Sequence, residues 1–246
     1  MRSDNPTAAI LVIGDEILSG RTREGNAHHL AQVLNATGFD LREIRVVADD
    51  HAAIVAAVRA LDGTLGGAWD MLFTTGGIGP THDDITADAV ADAHGVALHI
   101  DPEARALLQD RCDRMGMELT ESRLRMARAP VGATLIENGV SAAPGFSIGA
   151  THVMAGVPEV FRSMVAWLVP RLPGGRPVQS ASIEVRRPES EVADDLRVIA
   201  ADFADLSLGS YPFNDSTGWG TNLVVRGLDA DRVAQAMAAL KERLAL

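Results

Sequence analysis

The stretch Thr75-Gly76-Gly77-Ile78-Gly79-Pro80-Thr81-His82-Asp83-Asp84 holds the residue types and spacing best suited to chemistry. Three glycines let the backbone approach a ligand closely and adopt positive φ. Pro80 stiffens the loop, and Thr81 can bond back to it. A helix starting near Asp83 or Asp84 would aim its unpaired amides into the same space, the general arrangement of an anion seat. The two aspartates oppose that use. A carboxylate roughly 4 Å from a phosphate is repelled by a few kcal/mol at an effective dielectric of about 20. A hard divalent cation such as Mg²⁺, taking oxygens from Asp83 and Asp84, turns the repulsion into a bridge. The loop therefore points to metal and phosphate together, for Lewis-acid activation of a phosphoryl group. The competing reading, that one aspartate merely caps the helix, weakens when two acids stand behind three glycines.

Such a loop needs elements to hold it. Asp70–Thr74 reads as the strand that delivers it, and 84–94 as the helix that follows. Ala8–Ile13 is a continuous apolar run, as in a strand buried on both faces. It is followed by a helix with Ala27, Leu30, Ala31 and Leu34 on one face, a strand over Leu41–Val47, and a helix over His51–Leu61. This alternation predicts a three-layer α/β/α fold with a mostly parallel sheet, whose ligands sit beyond the carboxyl ends of the strands. Two further polar clusters fall at those ends: Gly14-Asp15-Glu16 and Asp49-Asp50, where one aspartate is expected to cap helix 51–61. Residues 102–116 and 118–128 read as helices, Asn138–Gly145 as a loop, 151–154 as a strand, and 158–168 as a helix. The Pro/Gly-rich stretch Pro170–Pro177 is the linker candidate. It separates a domain over 1–173 from a small α+β domain over 174–246. In the latter, strands are expected at 179–185, 206–211 and 222–226, helices at 189–201 and 230–243, and a turn at 214–220.

Composition narrows the partners. Lys+Arg minus Asp+Glu is 22 − 33 = −11, and no basic run offsets it. Nucleic acid and anionic membrane are therefore disfavoured, while a small phosphorylated ligand is not. The single cysteine, Cys112, reads as an ordinary helix residue; it cannot form an internal disulfide, and a cytoplasmic setting is the default. The opening Met1–Thr7 is polar, and the apolar run after it is too short for a signal or a membrane span. There is no Gly-x-Ser-x-Gly elbow and no Gly-Lys-Ser/Thr phosphate loop.

Thr74–Thr86 resembles the signature loop of the molybdopterin-binding, molybdenum-cofactor-biosynthesis (MoaB/Mog-like) domain. Ile13–Arg21 with Asn26, and Asn138–Phe146, resemble the N-terminal part of the competence-damage-inducible protein A (CinA-like) family. The tail, Leu208–Pro212 with Thr221–Gly227, is similar to that family's small domain. The resemblance implies roles by position. Asp84 matches a metal- and nucleotide-binding carboxylate and Asp49 a second acid of that site. Gly76, Gly77 and Gly79, with Thr75, Pro80 and Thr81, match the phosphate-cradling loop; Gly14, Asp15, Glu16 and Asn26 match the first-loop positions. It further implies molybdopterin or nucleotide as ligand, Mg²⁺ or another divalent cation, a homo-oligomer, and hydrolysis of nucleotide pyrophosphates such as ADP-ribose to AMP and a sugar phosphate. A non-catalytic pterin- or nucleotide-binding protein is the alternative. Three positions depart from the family pattern: Glu121-Ser122 where Asn is frequent, Ala155 in the Pro-Gly-Val-Pro turn, and Glu159-Val-Phe161 in place of Ser-Glu-Met. With the chain ending at Leu246, the amidase domain that many members carry afterwards is not expected, nor is nicotinamide-nucleotide deamidation.

Overall fold

A computed structural model describes residues 4–246; the first three residues of the polar opening lie outside them. Two compact units divide the chain, Asp4–Gly175 and Arg176–Leu246. In the first the order is β1 (Thr7–Ile13), α1 (Asp15–Leu18), α2 (Asn26–Ala36), β2 (Asp40–Val47), α3 (His51–Leu61), β3 (Met71–Thr75), α4 (Thr86–His94), β4 (Leu98–Ile100), α5 (Pro102–Arg114), α6 (Glu121–Leu124), β5 (Arg128–Pro130), β6 (Thr134–Ile136), β7 (Gly145–Ile148), β8 (Thr151–Met154) and α7 (Pro158–Leu168). The second runs β9 (Gln179–Val185), α8 (Glu189–Asp202), β10 (Ser207–Asp215), β11 (Gly218–Gly227) and α9 (Ala230–Leu244).

The larger sheet has the order β2-β1-β3-β8-β7-β6. Its first four strands are parallel, and β7 runs antiparallel to both its neighbours, β8 and β6. β1 separates two cores by simple alternation. Ala8, Ile10 and Val12 pack with Leu30 and Leu34 of α2 and Phe161 and Val165 of α7. Ala9, Leu11 and Ile13 pack with Ile54 and Val58 of α3 and Val90 of α4. A strand buried on both faces has no place for polar residues, which explains its unbroken apolar run. The chain leaves β1 for β2 on one side and then crosses to β3 on the other, so the strand order reverses between β1 and β3. Their ends are in register: Val12 lies opposite Thr75, Ile13 opposite Val47, and Thr75 opposite Met154. The loops after residues 13, 47, 75 and 154 thus emerge together at the switch point where open α/β sheets bind ligands.

Several sequence expectations are corrected. α4 begins at Thr86 rather than Asp84, because residues 81–84 form a separate turn closed by the Asp84 carboxylate on the Thr81 amide (2.8 Å) and hydroxyl (2.6 Å). The helix expected over 118–128 is one turn, α6, capped by Thr120, then a 3-10 turn and β5. Short strands β4 to β7 were not foreseen, each being only three or four residues long. In the small unit the order β10-β11-β9 forms an antiparallel sheet. The hairpin turn there is tighter than the expected 214–220, because the Asp215 carboxylate accepts from the Thr217 amide and hydroxyl. Cys112 is a buried residue of α5. No helix among the described residues is long and apolar enough to cross a membrane.

Ile10 is fully buried in the central strand. Ile10→Ala is expected to lower the unfolding free energy by about 2–5 kcal/mol, read from urea denaturation.

Candidate functional site

The glycine loop is shaped by close approaches. At Gly76 (φ +107°) a Cβ would stand 2.1 Å from the Ile13 carbonyl oxygen. At Gly77 (φ +68°) it would stand 2.1 Å from the Thr86 hydroxyl. That hydroxyl donates to the Gly76 carbonyl at 3.0 Å, and the Thr86 amide donates to the Gly77 carbonyl at 3.0 Å. Sequence reasoning quoted Thr86 inside the motif but gave it no role. It is the buried anchor of the loop. Gly79 is needed for another reason: a Cβ there would meet the Asp84 carboxylate at 2.7 Å.

Thr75 and Asn26, expected to contact ligand, tie loops together. The Thr75 hydroxyl donates to the Ala155 carbonyl (3.1 Å) and accepts from Asn26 Nδ2 (3.0 Å). Asn26 Nδ2 also donates to the Gly156 carbonyl at 2.7 Å. The Gly76 amide donates to the Met154 carbonyl and so is not free for an anion. Among the described residues the amides of Gly77, Ile78 and Gly79 meet no protein acceptor. The anion-donating part of the loop is therefore 77–79, and α4 adds no free first amide, because that of Thr86 is taken.

The acids divide the work. Asp50 caps α3 by accepting from the Ala53 amide at 2.8 Å. Asp49 is thereby left for the cleft. Its Oδ2 accepts from the Asp15 amide (2.9 Å), while Asp15 Oδ1 accepts from the Asp49 amide (3.4 Å). This reciprocal pair staples the loops after β1 and β2. Burial, opposed by the Asp15 amide and reinforced by the charges of Asp15, Glu16 and Asp83, pushes the Asp49 carboxyl above its ordinary value.

A cleft of about 460 Å³ collects these groups. Glu16, Asp49, Asp83 and Asp84 line it together with Gly14, Gly76, Gly77, Gly79 and Pro80. Asp15, Asn26, Thr75 and Thr81 do not line it. Sequence reasoning missed its apolar wall: Ile13, Ile78, Met126, Ala143, Val157 and Val160. The signal for part of it was available, since Ala155–Pro158 follows a strand ending at the same sheet edge. Of the departures from the family pattern, Ala155 and Val160 reach the cleft and Glu121-Ser122 do not. Also missed were Arg125 and Arg128, which donate to the Asp84 carbonyl at 3.1 and 3.3 Å; Arg128 pairs with Asp88 at 2.9 Å.

The donor set fits a hard cation. Four carboxylates line one cleft with no basic side chain among the lining residues, and partial burial with acidic neighbours holds the Asp49 carboxyl above its ordinary value. Among the described residues no group of three or more His, Cys, Asp or Glu side chains is placed to hold a metal ion together. The arrangement suits an ion such as Mg²⁺, which takes one or two carboxylates and leaves its other positions to water and ligand phosphate.

Residues 9–174 match the family described as “Probable molybdopterin binding domain”, and residues 177–246 match “FAD synthase, middle domain”. A CinA-like protein of Gemmatimonas aurantiaca is 35% identical over 96% of this chain and 58% of its own length. One of Desulfosudis oleivorans is 36% identical over 76% of this chain and 47% of its own. This chain thus spans about half the length of those two relatives. A protein of Metallosphaera sedula is 30% identical over 97% of this chain and 92% of its own length. Among solved structures, the protein CinA of unknown function from Thermoplasma acidophilum superposes with a TM-score of 0.59. It is 33% identical, over 67% of this chain and 96% of that one.

The raised Asp49 pKa fixes a sign. A carboxyl held more tightly protonated in the fold than in the unfolded chain adds stability below its ordinary value of 3.8, and that contribution is lost as pH rises through the folded value. Asp49→Asn keeps an acceptor for the Asp15 amide. In the absence of divalent cations it is expected to raise Tm at pH 7 relative to the parent, with the gap closing at about pH 3.

Proposed function

The chain belongs to the molybdopterin-binding domain family, in its CinA-like branch, and from that premise we propose that it is a divalent-cation-dependent nucleotide pyrophosphatase acting on substrates of the ADP-ribose type. The observation that carries the reading is one cleft lined by four carboxylates, by apolar side chains and by a glycine loop with three unpaired amides. The apolar wall of Ile78, Met126, Val157 and Val160 accommodates a flat base or pterin ring. The amides of Gly77, Ile78 and Gly79 donate to phosphate oxygens, where they would stabilise charge that grows as the phosphoryl group is attacked.

Asp83 and Asp84 are the residues that would hold the cation. When bound, the cation neutralises the diphosphate and polarises its phosphorus. Asp49 suits the role of general base. Its Oδ1 has no protein partner among the described residues, and its raised pKa favours taking a proton from water. Water adds to one phosphorus, the bridging P–O bond breaks, and AMP and a sugar phosphate leave. The match of residues 177–246 to a domain of FAD synthase supports the nucleotide side of this reading. Assembly as a homo-oligomer, cytoplasmic residence and the absence of nucleic-acid or membrane partners remain part of the proposal.

A second reading, a pterin- or nucleotide-binding module without turnover, is favoured by one observation. The altered turn at Ala155 and the neighbouring Val160 line the cleft itself.

Purified protein incubated with ADP-ribose and Mg²⁺ is expected to release AMP. Asp49→Asn should lower kcat by about 10²–10⁴-fold, and Asp84→Ala should weaken the Mg²⁺ dependence. No AMP, with a nucleotide-induced rise in Tm, selects the binding module. AMP release unchanged by Asp84→Ala contradicts the assigned site. At about 100 times its dissociation constant, Mg²⁺ should add about 2.7 kcal/mol of stability, seen as a Tm rise of roughly 5–10 °C.

A further inference from the structure

We propose that Arg125 and Arg128 are positioning residues that set the Asp83–Asp84 turn for its cation, an inference that rests on the reading of that turn as the metal seat. Both guanidinium groups converge on one backbone atom. Nη2 of Arg125 donates to the Asp84 carbonyl at 3.1 Å and Nη2 of Arg128 donates to the same oxygen at 3.3 Å. Arg128 is in turn fixed by Asp88, with Nη1 on Oδ1 at 2.9 Å and a second approach of 2.9 Å to Oδ2. Asp88 stands in the first turn of α4, so the clamp ties the turn to the helix behind it.

Position and chemistry give the clamp its purpose. Both arginines border a small cavity that Gly77, Ile78, Gly79 and Asp84 also line. A carbonyl that accepts from two cations cannot swing, and the peptide after Asp84 is thereby fixed. The Asp84 side chain is fixed from the other direction by the Thr81 amide and hydroxyl. Neither arginine lines the main cleft, so neither is a ligand-contacting residue there. Arg125 keeps its Nε buried without an acceptor among the described residues.

Arg128→Lys retains charge for Asp88 but loses the planar fork, and Arg125→Ala removes one donor while leaving the Asp88 pair intact. Two readouts on the full chain separate this proposal from the functional reading. Hydrogen exchange of the amides of residues 81–86 should quicken about tenfold or more in both variants, with the β1 and β3 amides unchanged. Mg²⁺ affinity by calorimetry should weaken about 10–100-fold, as expected for residues that support a metal ligand. If exchange at 81–86 is unchanged, or if it quickens while Mg²⁺ affinity stays at the parent value, the proposal is overturned. If the turn loosens in the variants but the parent protein binds no Mg²⁺, the clamp on the turn stands and the metal-dependent reading falls. A Tm loss that Arg128→Lys shares, with unchanged exchange at 81–86, marks the pair as merely structural and also overturns it.

Discussion

The loop after β3 folds back on its own strand because the carbonyls of Gly76 and Gly77 accept from the hydroxyl and amide of one buried threonine, Thr86. Those bonds are possible only where both residues lack Cβ atoms, since the Ile13 carbonyl and the Thr86 hydroxyl occupy the space. Everything at the site follows from this closure. It ends β3, delays α4 until Thr86, and turns the amides of Gly77, Ile78 and Gly79 away from any internal acceptor. It also leaves residues 81–84 as a separate turn whose Asp83 and Asp84 line the same cleft as Asp49. The glycines are thus demanded first by the loop's own packing, and the space for a ligand is a consequence.

Electrostatics sets the second constraint. A chain of net charge −11 that concentrates four carboxylates in one cleft repels a phosphate there unless backbone amides or a bound cation offset the acids. The protein's own positive charge nearby, on Arg125 and Arg128, is held at the Asp84 carbonyl and does not line the cleft. Asp49 reports the imbalance directly: burial and three acidic neighbours hold its proton more tightly than water would.

Much of this was legible in the sequence, and for identifiable reasons. β1, α3 and β8 are readable because each has one strong signal: an unbroken apolar run, an Asp50 cap with helical spacing, and a short β-branched stretch. The motif from Thr74 to Thr86 marks the site, and the strand-end rule places Gly14, Glu16 and Asp49 beside it. The rest depends on long-range geometry. The bonds of Thr75 and Asn26 to the carbonyls of Ala155 and Gly156 span about 80 and 130 residues and leave no local signal. Asp84 looks like a helix residue until its carboxylate is seen on Thr81. β4 to β7 are too short for periodicity to register, and Arg125 and Arg128 gain meaning only when the chain returns to Asp84 from some 40 residues away.

The central claim is that a cation and a diphosphate share the space between the acidic turn and amides 77–79. Crystals grown with Mn²⁺ and a non-hydrolysable ADP-ribose analogue test it most directly, through the anomalous signal of the metal. The account predicts a manganese peak against the Asp83 and Asp84 carboxylates, with the diphosphate on the amides of Gly77, Ile78 and Gly79. An analogue bound elsewhere, or seated in the cleft with no metal at those carboxylates, would contradict it.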